Sequence, residues 1–167
     1  MLSIISSRII SLSLLMVSGQ DALAQDYDKG LAHRHNGEFQ EAYVQFLELA
    51  EQGDAGAQFN LGQMYAGGEG VPKDYKAAFK WFLRSAKQGR GPIQGWSQVT
   101  LGGMYKRGRG VKKSNLYAYI WYHIATSQGA MFAKVNRDHI AKKMTSAEIS
   151  EAQKLAVECI KKSYKGC

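Results

Sequence analysis

The sequence predicts an all-α fold of stacked antiparallel helix pairs, and three observations carry that prediction. The string LGQMYAGGEGV at Leu61–Val71 returns as LGGMYKRGRGV at Leu101–Val111, forty residues later. Laid without gaps, 55–89 matches 95–129 at Gln58, Leu61, Gly62, Met64, Tyr65, Gly68, Gly70, Val71, Lys73, Ala78, Trp81, Gln88 and Gly89. Within each copy the apolar letters recur at helical spacing, and neither glycine string follows a strand pattern. Self-similarity at such a period marks supersecondary units that bury their apolar faces by stacking.

From the N-terminus, Met1–Ser7 leads to Arg8, an apolar run Ile9–Val17, a polar stretch and Ala22-Leu23-Ala24. This is the pattern of a secretory leader, and the run is shorter than the roughly 20 residues of a membrane span. Residues 1–24 are therefore read as a cleavable signal peptide, cut after Ala24, and 25–167 as a single repeat domain in the periplasm or outside the cell. Residues 26–53 form a shorter helix pair, Tyr27–Asn36 and Phe39–Gln52, around Gly37.

The first full unit is 54–89, with Asp54 as its cap. Ala57, Leu61 and Tyr65 line one stripe of its first helix. Gly62 sits beside that stripe, where a glycine costs up to about 1 kcal/mol, so close approach of the partner helix is expected there. Gly68 and Gly70 stop the helix by allowing positive φ, and Val71 pins the elbow. Asp74 caps a second helix bearing Ala78, Trp81, Phe82 and Ala86. The second unit, 94–129, repeats the plan with Leu101, Gly102, Tyr105, Gly108, Gly110, Val111, a Ser114 cap, Ala118, Trp121, Tyr122 and Ala125. Arg90–Gln94 between the units is expected to project as a loop. Residues 130–167 are read as a C-terminal capping pair, Met131–Lys143 and Ser146 to about Tyr164. Thr145 and Glu148 open its last helix as a capping box, and Ile149, Ala152, Leu155 and Cys159 form its apolar face.

The pattern Ala57-Gln58-x-x-Leu61-Gly62-x-x-Tyr65-x-x-Gly68-x-Gly70-Val71-x-x-Asp74-x-x-x-Ala78-x-x-Trp81 resembles the Sel1-like repeat, a relative of the tetratricopeptide repeat with a longer elbow. The second unit departs from it with Ser97 for the first alanine and Ser114 for the aspartate. The resemblance covers about 54–129, with weaker echoes on both sides, of which 26–53 is the more tetratricopeptide-like. It implies a right-handed α-solenoid whose concave face binds proteins or peptides. Some exported bacterial members regulate envelope signalling or assist assembly. Some cysteine-rich members are linked to penicillin binding, but those pair cysteines within each repeat, and these repeats contain none.

The chain of 167 residues carries a formal charge of +8, unchanged in 25–167 because Arg8 and Asp21 cancel. Such a balance attracts acidic partners at long range. For an exported protein this points to an acidic protein face or an anionic envelope surface rather than nucleic acid. Cys159 and Cys167, close together at the C-terminus, are read as a disulfide clip, with two free thiols as the alternative.

Chemistry is sparse. GGEGVPKD lacks the glycine directly before lysine that a phosphate loop needs. His33 and His35 point to different helix faces, no zinc-ligand cluster exists, and Gly95-Trp96-Ser97-Gln98-Val99 lacks the closing glycine of a nucleophile elbow. No catalytic residue, metal or cofactor is expected. Instead Phe59, Gln63 and Ala66, with their twins Val99, Gly103 and Lys106, lie roughly opposite Leu61 and differ at every pair. They are candidates for a partner-binding groove, with Arg107, Arg109, Lys112 and Lys113 as a basic rim. Two alternatives stay open: Phe59 and Val99 pack between units while the basic residues are a solvated face, or Asn60 and Thr100 take the groove positions. The leading functional reading is a non-catalytic adaptor. An envelope enzyme or peptidoglycan-binding protein of the cysteine-rich type, and a self-associating assembly element, are the alternatives.

Overall fold

A computed structural model describes residues 24–88 and 91–164, and all regular structure among them is helical. The leader reading and Cys167 fall outside these residues. Helix α1 covers residues 24–35. It is followed by α2 (Phe39–Glu51), α3 (Ala55–Gly67), α4 (Tyr75–Ala86), α5 (Pro92–Arg107), α6 (Asn115–Ser127), α7 (Ala133–Ala141) and α8 (Ser146–Lys161). Helices α3 and α4 pair closely, as do α5 and α6, and each pair leans on the next through α4 and α5. This is an α-solenoid, with one core cluster around α2 and α3 and a larger one running from α4 to α8.

The caps explain where the helices begin. Asp54 accepts from the backbone N–H of Ala57, Asp74 from Lys76 and Ala77, and Ser114 from Tyr117. Thr145 and Glu148 close a reciprocal capping box, which satisfies two otherwise orphaned donors. The helical glycines explain the pairing. A Cβ on Gly62 would sit 2.7 Å from the Phe82 ring, and one on Gly102 would sit 2.7 Å from the Tyr122 ring. Each glycine lets an aromatic ring of the second helix lie directly on the backbone of the first.

The elbows do more than turn the chain. Gly68 and Gly108 end α3 and α5 in the left-handed conformation. Gly70 and Gly110 follow at φ 69° and 73°. A Cβ on Gly70 would collide with the carbonyl oxygen of Phe39, and one on Gly110 with that of Tyr75. Each elbow is thus seated, backbone on backbone, against the first residue of the second helix one unit earlier.

Three expectations need correction. The segment expected to loop out at Arg90–Gln94 is partly helix, because Pro92 opens α5; proline's fixed φ suits the first helical turn, where its missing N–H costs nothing. Helix α7 starts at Ala133 rather than Met131, because Phe132 holds φ 62° and interrupts a helical path. Finally, α7 and α8 do not form a pair. α8 lies on α6 instead, where Tyr164 stacks on Trp121 with ring centres 6.1 Å apart and planes 7° from parallel. Gln153 and Gln128 tie the same region by donating to the hydroxyls of Tyr119 and Tyr164.

Candidate functional site: an aromatic-floored groove with two arginines

The first helices of the two full units, α3 and α5, and the following helix α7 border a cavity of about 300 Å³. Its floor is aromatic. Phe82 and Tyr122 rise into it from the second helices, brought close by Gly62 and Gly102. Its walls are Ala66 on α3, Val99, Thr100, Gly103 and Met104 on α5, and Asn136 on α7. Arg107, Arg109 and Tyr75 complete the lining.

The charge is local and positive. Gly103 is buried, and a Cβ there would lie 2.9 Å from an Nη of Arg107. The missing side chain gives the guanidinium room to fold back and donate to the Gly103 carbonyl at 3.4 Å. Arg109 sits 5.3 Å from the centre of the Tyr75 ring, and Lys73 Nζ sits 5.1 Å from it. The hydrogen bond with Lys73, helped by the charge of Arg109, holds the Tyr75 phenol below its ordinary range. The Tyr122 phenol is pushed up by burial, with Arg107 acting in the opposite direction. An aromatic floor under two arginines suits an apolar side chain carried beside a carboxylate.

The sequence-derived candidates divide. Ala66, Val99, Gly103, Arg107 and Arg109 come together at this cavity. Phe59 instead packs between units, its ring 5.5 Å from Phe82 and 6.1 Å from Trp96. Gln63 accepts a 2.6 Å bond from Arg34 of α1. The same guanidinium donates to Glu69 at 2.7 Å and Asn60 at 3.0 Å, and Asn60 also donates to the Tyr27 hydroxyl. The α1–α3 end of the groove face is therefore stitched shut, while the α3–α5–α7 part is open. Lys106, Lys112 and Lys113 do not line the cavity; Lys113 packs its Cβ against Gly108 at the elbow. Of the two alternative groove positions, Thr100 reaches the cavity and Asn60 is buried in the network.

Tyr75, Asn136 and Arg34 were not singled out by sequence reasoning. Tyr75 and Asn136 reach the cavity from different helices, and no spacing rule links them to α5. Ser97, at the imperfect elbow motif, is fully buried and bonded to Ser85 Oγ at 2.8 Å and the Ile93 carbonyl at 3.0 Å. His33 bonds Glu38 at 2.6 Å. Among the described residues no group of three or more His, Cys, Asp or Glu could hold a metal ion. No helix among them is long and apolar enough to cross a membrane. Cys159 is buried and is not a free thiol.

Stacked helix pairs with a bordered groove define the class: a repeat protein of the α-solenoid kind. Residues 55–89 and 97–129 match the Sel1 repeat. The chain resembles the solved Sel1 repeat protein from Oxalobacter formigenes, with a TM-score of 0.61 and 31% identity over 70% of this chain and 88% of that one. It also resembles a protective antigen present in uropathogenic Escherichia coli strains that displays an SLR fold. There the TM-score is 0.76 and the identity 28%, over 88% of this chain and 32% of that one. Over 57 residues it is 40% identical to an exopolysaccharide production negative regulator of Rhizobium leguminosarum bv. viciae. That match spans 34% of this chain and 21% of the relative, so this chain aligns with about a fifth of that protein and a third of the antigen. The chain belongs to the Sel1 repeat family, which supports a protein-interaction module.

Proposed function

We propose that this protein is a non-catalytic adaptor of the bacterial cell envelope that binds an acidic segment of a partner protein in the α3–α5–α7 groove. One observation carries the reading: two arginines stand over an aromatic-floored cavity at the open part of the groove face. The net charge of +8 supports an acidic partner. The leader-like N-terminus supports export. The stretch shared with a named regulator of exopolysaccharide production supports a regulatory role.

The test is crosslinking with mass spectrometry on the tagged full-length protein in its native envelope, with wild type compared against Arg107→Glu/Arg109→Glu. A partner captured through α5 and its elbow, and lost at least tenfold in the double variant, is expected from reversing two contact charges. Lys112→Glu/Lys113→Glu should lose less, and only through long-range attraction that salt screens. A partner retained equally by the arginine double variant would remove the groove from the account. Fusion of residues 1–30 to a reporter active only outside the cytoplasm tests export separately; a silent fusion would refute it.

A further inference from the structure

The two full units place the same tryptophan in different surroundings. Trp121 is fully buried, whereas Trp81 is half-buried with the Arg84 guanidinium 4.7 Å from its ring centre. The difference is α8 and the Tyr164 that follows it, whose ring stacks on Trp121. Helix α8 lies on the outer face of α6, where Ile120, Trp121 and Ile124 cluster with its Ala152, Ala156 and Cys159. Forty residues earlier, the same positions on α4 are Lys80, Trp81 and Arg84. There a cavity of about 420 Å³ opens instead, lined by these three residues with Asp74, Lys76 and Ala77. This scaffold therefore shows the same face twice, once seated under a helix and once open.

The open face is also charged with one sign. Lys76, Lys80, Arg84 and Lys87 are all exposed, and α4 contains no acidic residue. An ordinary solvated helix intersperses both signs to gain pairs three or four residues apart. Here Asp74, the acid at the edge, is committed to capping the helix. The ion pairs among the described residues lie elsewhere.

We infer that the outer face of α4 is a second docking surface, and that its occupant is an acidic amphipathic helix of a partner protein, seated on Trp81 as α8 is seated on Trp121. The twin face supplies the shape of the occupant: a helix that lays small side chains on the face and carries an aromatic ring just past its end onto the tryptophan. The four cations supply its charge, and complementary charge fixes orientation as well as attraction. This surface is separate from the groove and does not depend on it.

A defined probe tests this: a synthetic peptide of residues 146–164 carrying Lys154→Glu, Lys161→Glu and Cys159→Ala. It keeps Ala152, Ala156 and Tyr164 of that seat with a small residue at 159, and makes its outer side acidic. A control peptide carries Glu151→Lys, Glu158→Lys and Cys159→Ala. Each is titrated into the full chain with 15N-labelled indoles. The acidic peptide is expected to move the Trp81 Nε1–H resonance and leave that of Trp121 in place. Its Kd should rise about tenfold in Lys80→Glu/Arg84→Glu and fall in low salt, with the control peptide at least tenfold weaker. Lys76→Glu/Lys87→Glu, which leaves the Trp81–Arg84 stack intact, should show the same direction. Arg107→Glu/Arg109→Glu should change nothing, which separates this face from the groove. Binding weaker than about 1 mM, equal binding by the charge-reversed variants, or movement of Trp121 through displacement of α8 would each overturn the inference. So would a Trp81 response to phosphatidylglycerol vesicles or heparin without one to the peptide, which would assign the face to a lipid or polysaccharide polyanion.

Discussion

Replacing Gly110 with alanine probes what holds one unit to the next. Gly110 lies at φ 73°, so any Cβ there enters the left-handed region, at a cost of roughly 1–2 kcal/mol. That Cβ would also collide with the carbonyl oxygen of Tyr75, with the carbonyl carbon at 2.5 Å and the Lys76 nitrogen at 3.0 Å. These are backbone atoms at the start of a capped helix and cannot swing aside. Overpacking of this kind adds about 1–3 kcal/mol, giving about 3.5 kcal/mol in total from the two midpoints. Gly37 supplies the control: its φ is 82°, but no atom lies within 4 Å of its Cβ position. Gly37→Ala should lose only the backbone part, about 1.5 kcal/mol. Urea denaturation followed by far-ultraviolet circular dichroism measures both on the same chain. The expected gap is about 2 kcal/mol, with unchanged m-values. If Gly110→Ala is no worse than Gly37→Ala, the elbow is merely a turn and the backbone seat does not hold the units together.

Three further outcomes follow from the aromatic and histidine environments. Trp121→Ala should cost about 3–5 kcal/mol, because its ring is wholly buried under Tyr164, whereas half-buried Trp81→Ala should cost clearly less; thermal melts of both variants decide. Tyr65, whose hydroxyl meets that of Tyr43 at 3.0 Å, is pushed up to about 12, first by that hydrogen bond and then by burial. The raised value contributes stability that is whole below the ordinary phenol value and lost as pH rises through the raised one, and ultraviolet titration of Tyr43→Phe should return Tyr65 toward the ordinary range. Burial, then the charge of Arg137, holds the His123 imidazole below its ordinary value. Its contribution is therefore present above that ordinary value and lost as pH falls toward the lowered one, so His123→Gln should flatten the acid side of the stability profile measured by denaturant midpoints.

The scaffold was legible because repetition turns one chain into two readings of the same geometry. Gly62 and Gly102 predicted a close helix approach, and the rings of Phe82 and Tyr122 supply it. Asp74, Ser114 and Thr145 predicted helix starts because an N-cap is a local contact, complete within three residues. Gln58 and Gln98 were visible as twins, but their work was not. Each is buried and donates to a carbonyl near the end of the preceding unit's second helix, Ala50 and Ala86, and such end-of-helix acceptors cannot be located before the helices are stacked. The groove was half legible for the same reason. A helical wheel places Val99 and Gly103 on one face, yet it cannot show that Phe59 on the equivalent face is claimed by Trp96, or that Arg34 crosses from α1 to bind Gln63. The position of α8 was illegible, because its apolar face would suit α6 or α7 equally and only three-dimensional packing selects between them.

The network centred on Arg34 has a consequence for how a partner would be read. By joining α1 to α3 through Glu69, Asn60 and Gln63, it gives the groove a blind end. A segment bound in the proposed groove would meet the Arg34–Gln63 contact on its α3 side and Asn136 on its α7 side, so the two directions along it would be inequivalent even though the units that build it are copies. Polarity of recognition, whether a chain lies head-first or tail-first, would then be set by one arginine outside the matched repeats rather than by the repeats themselves.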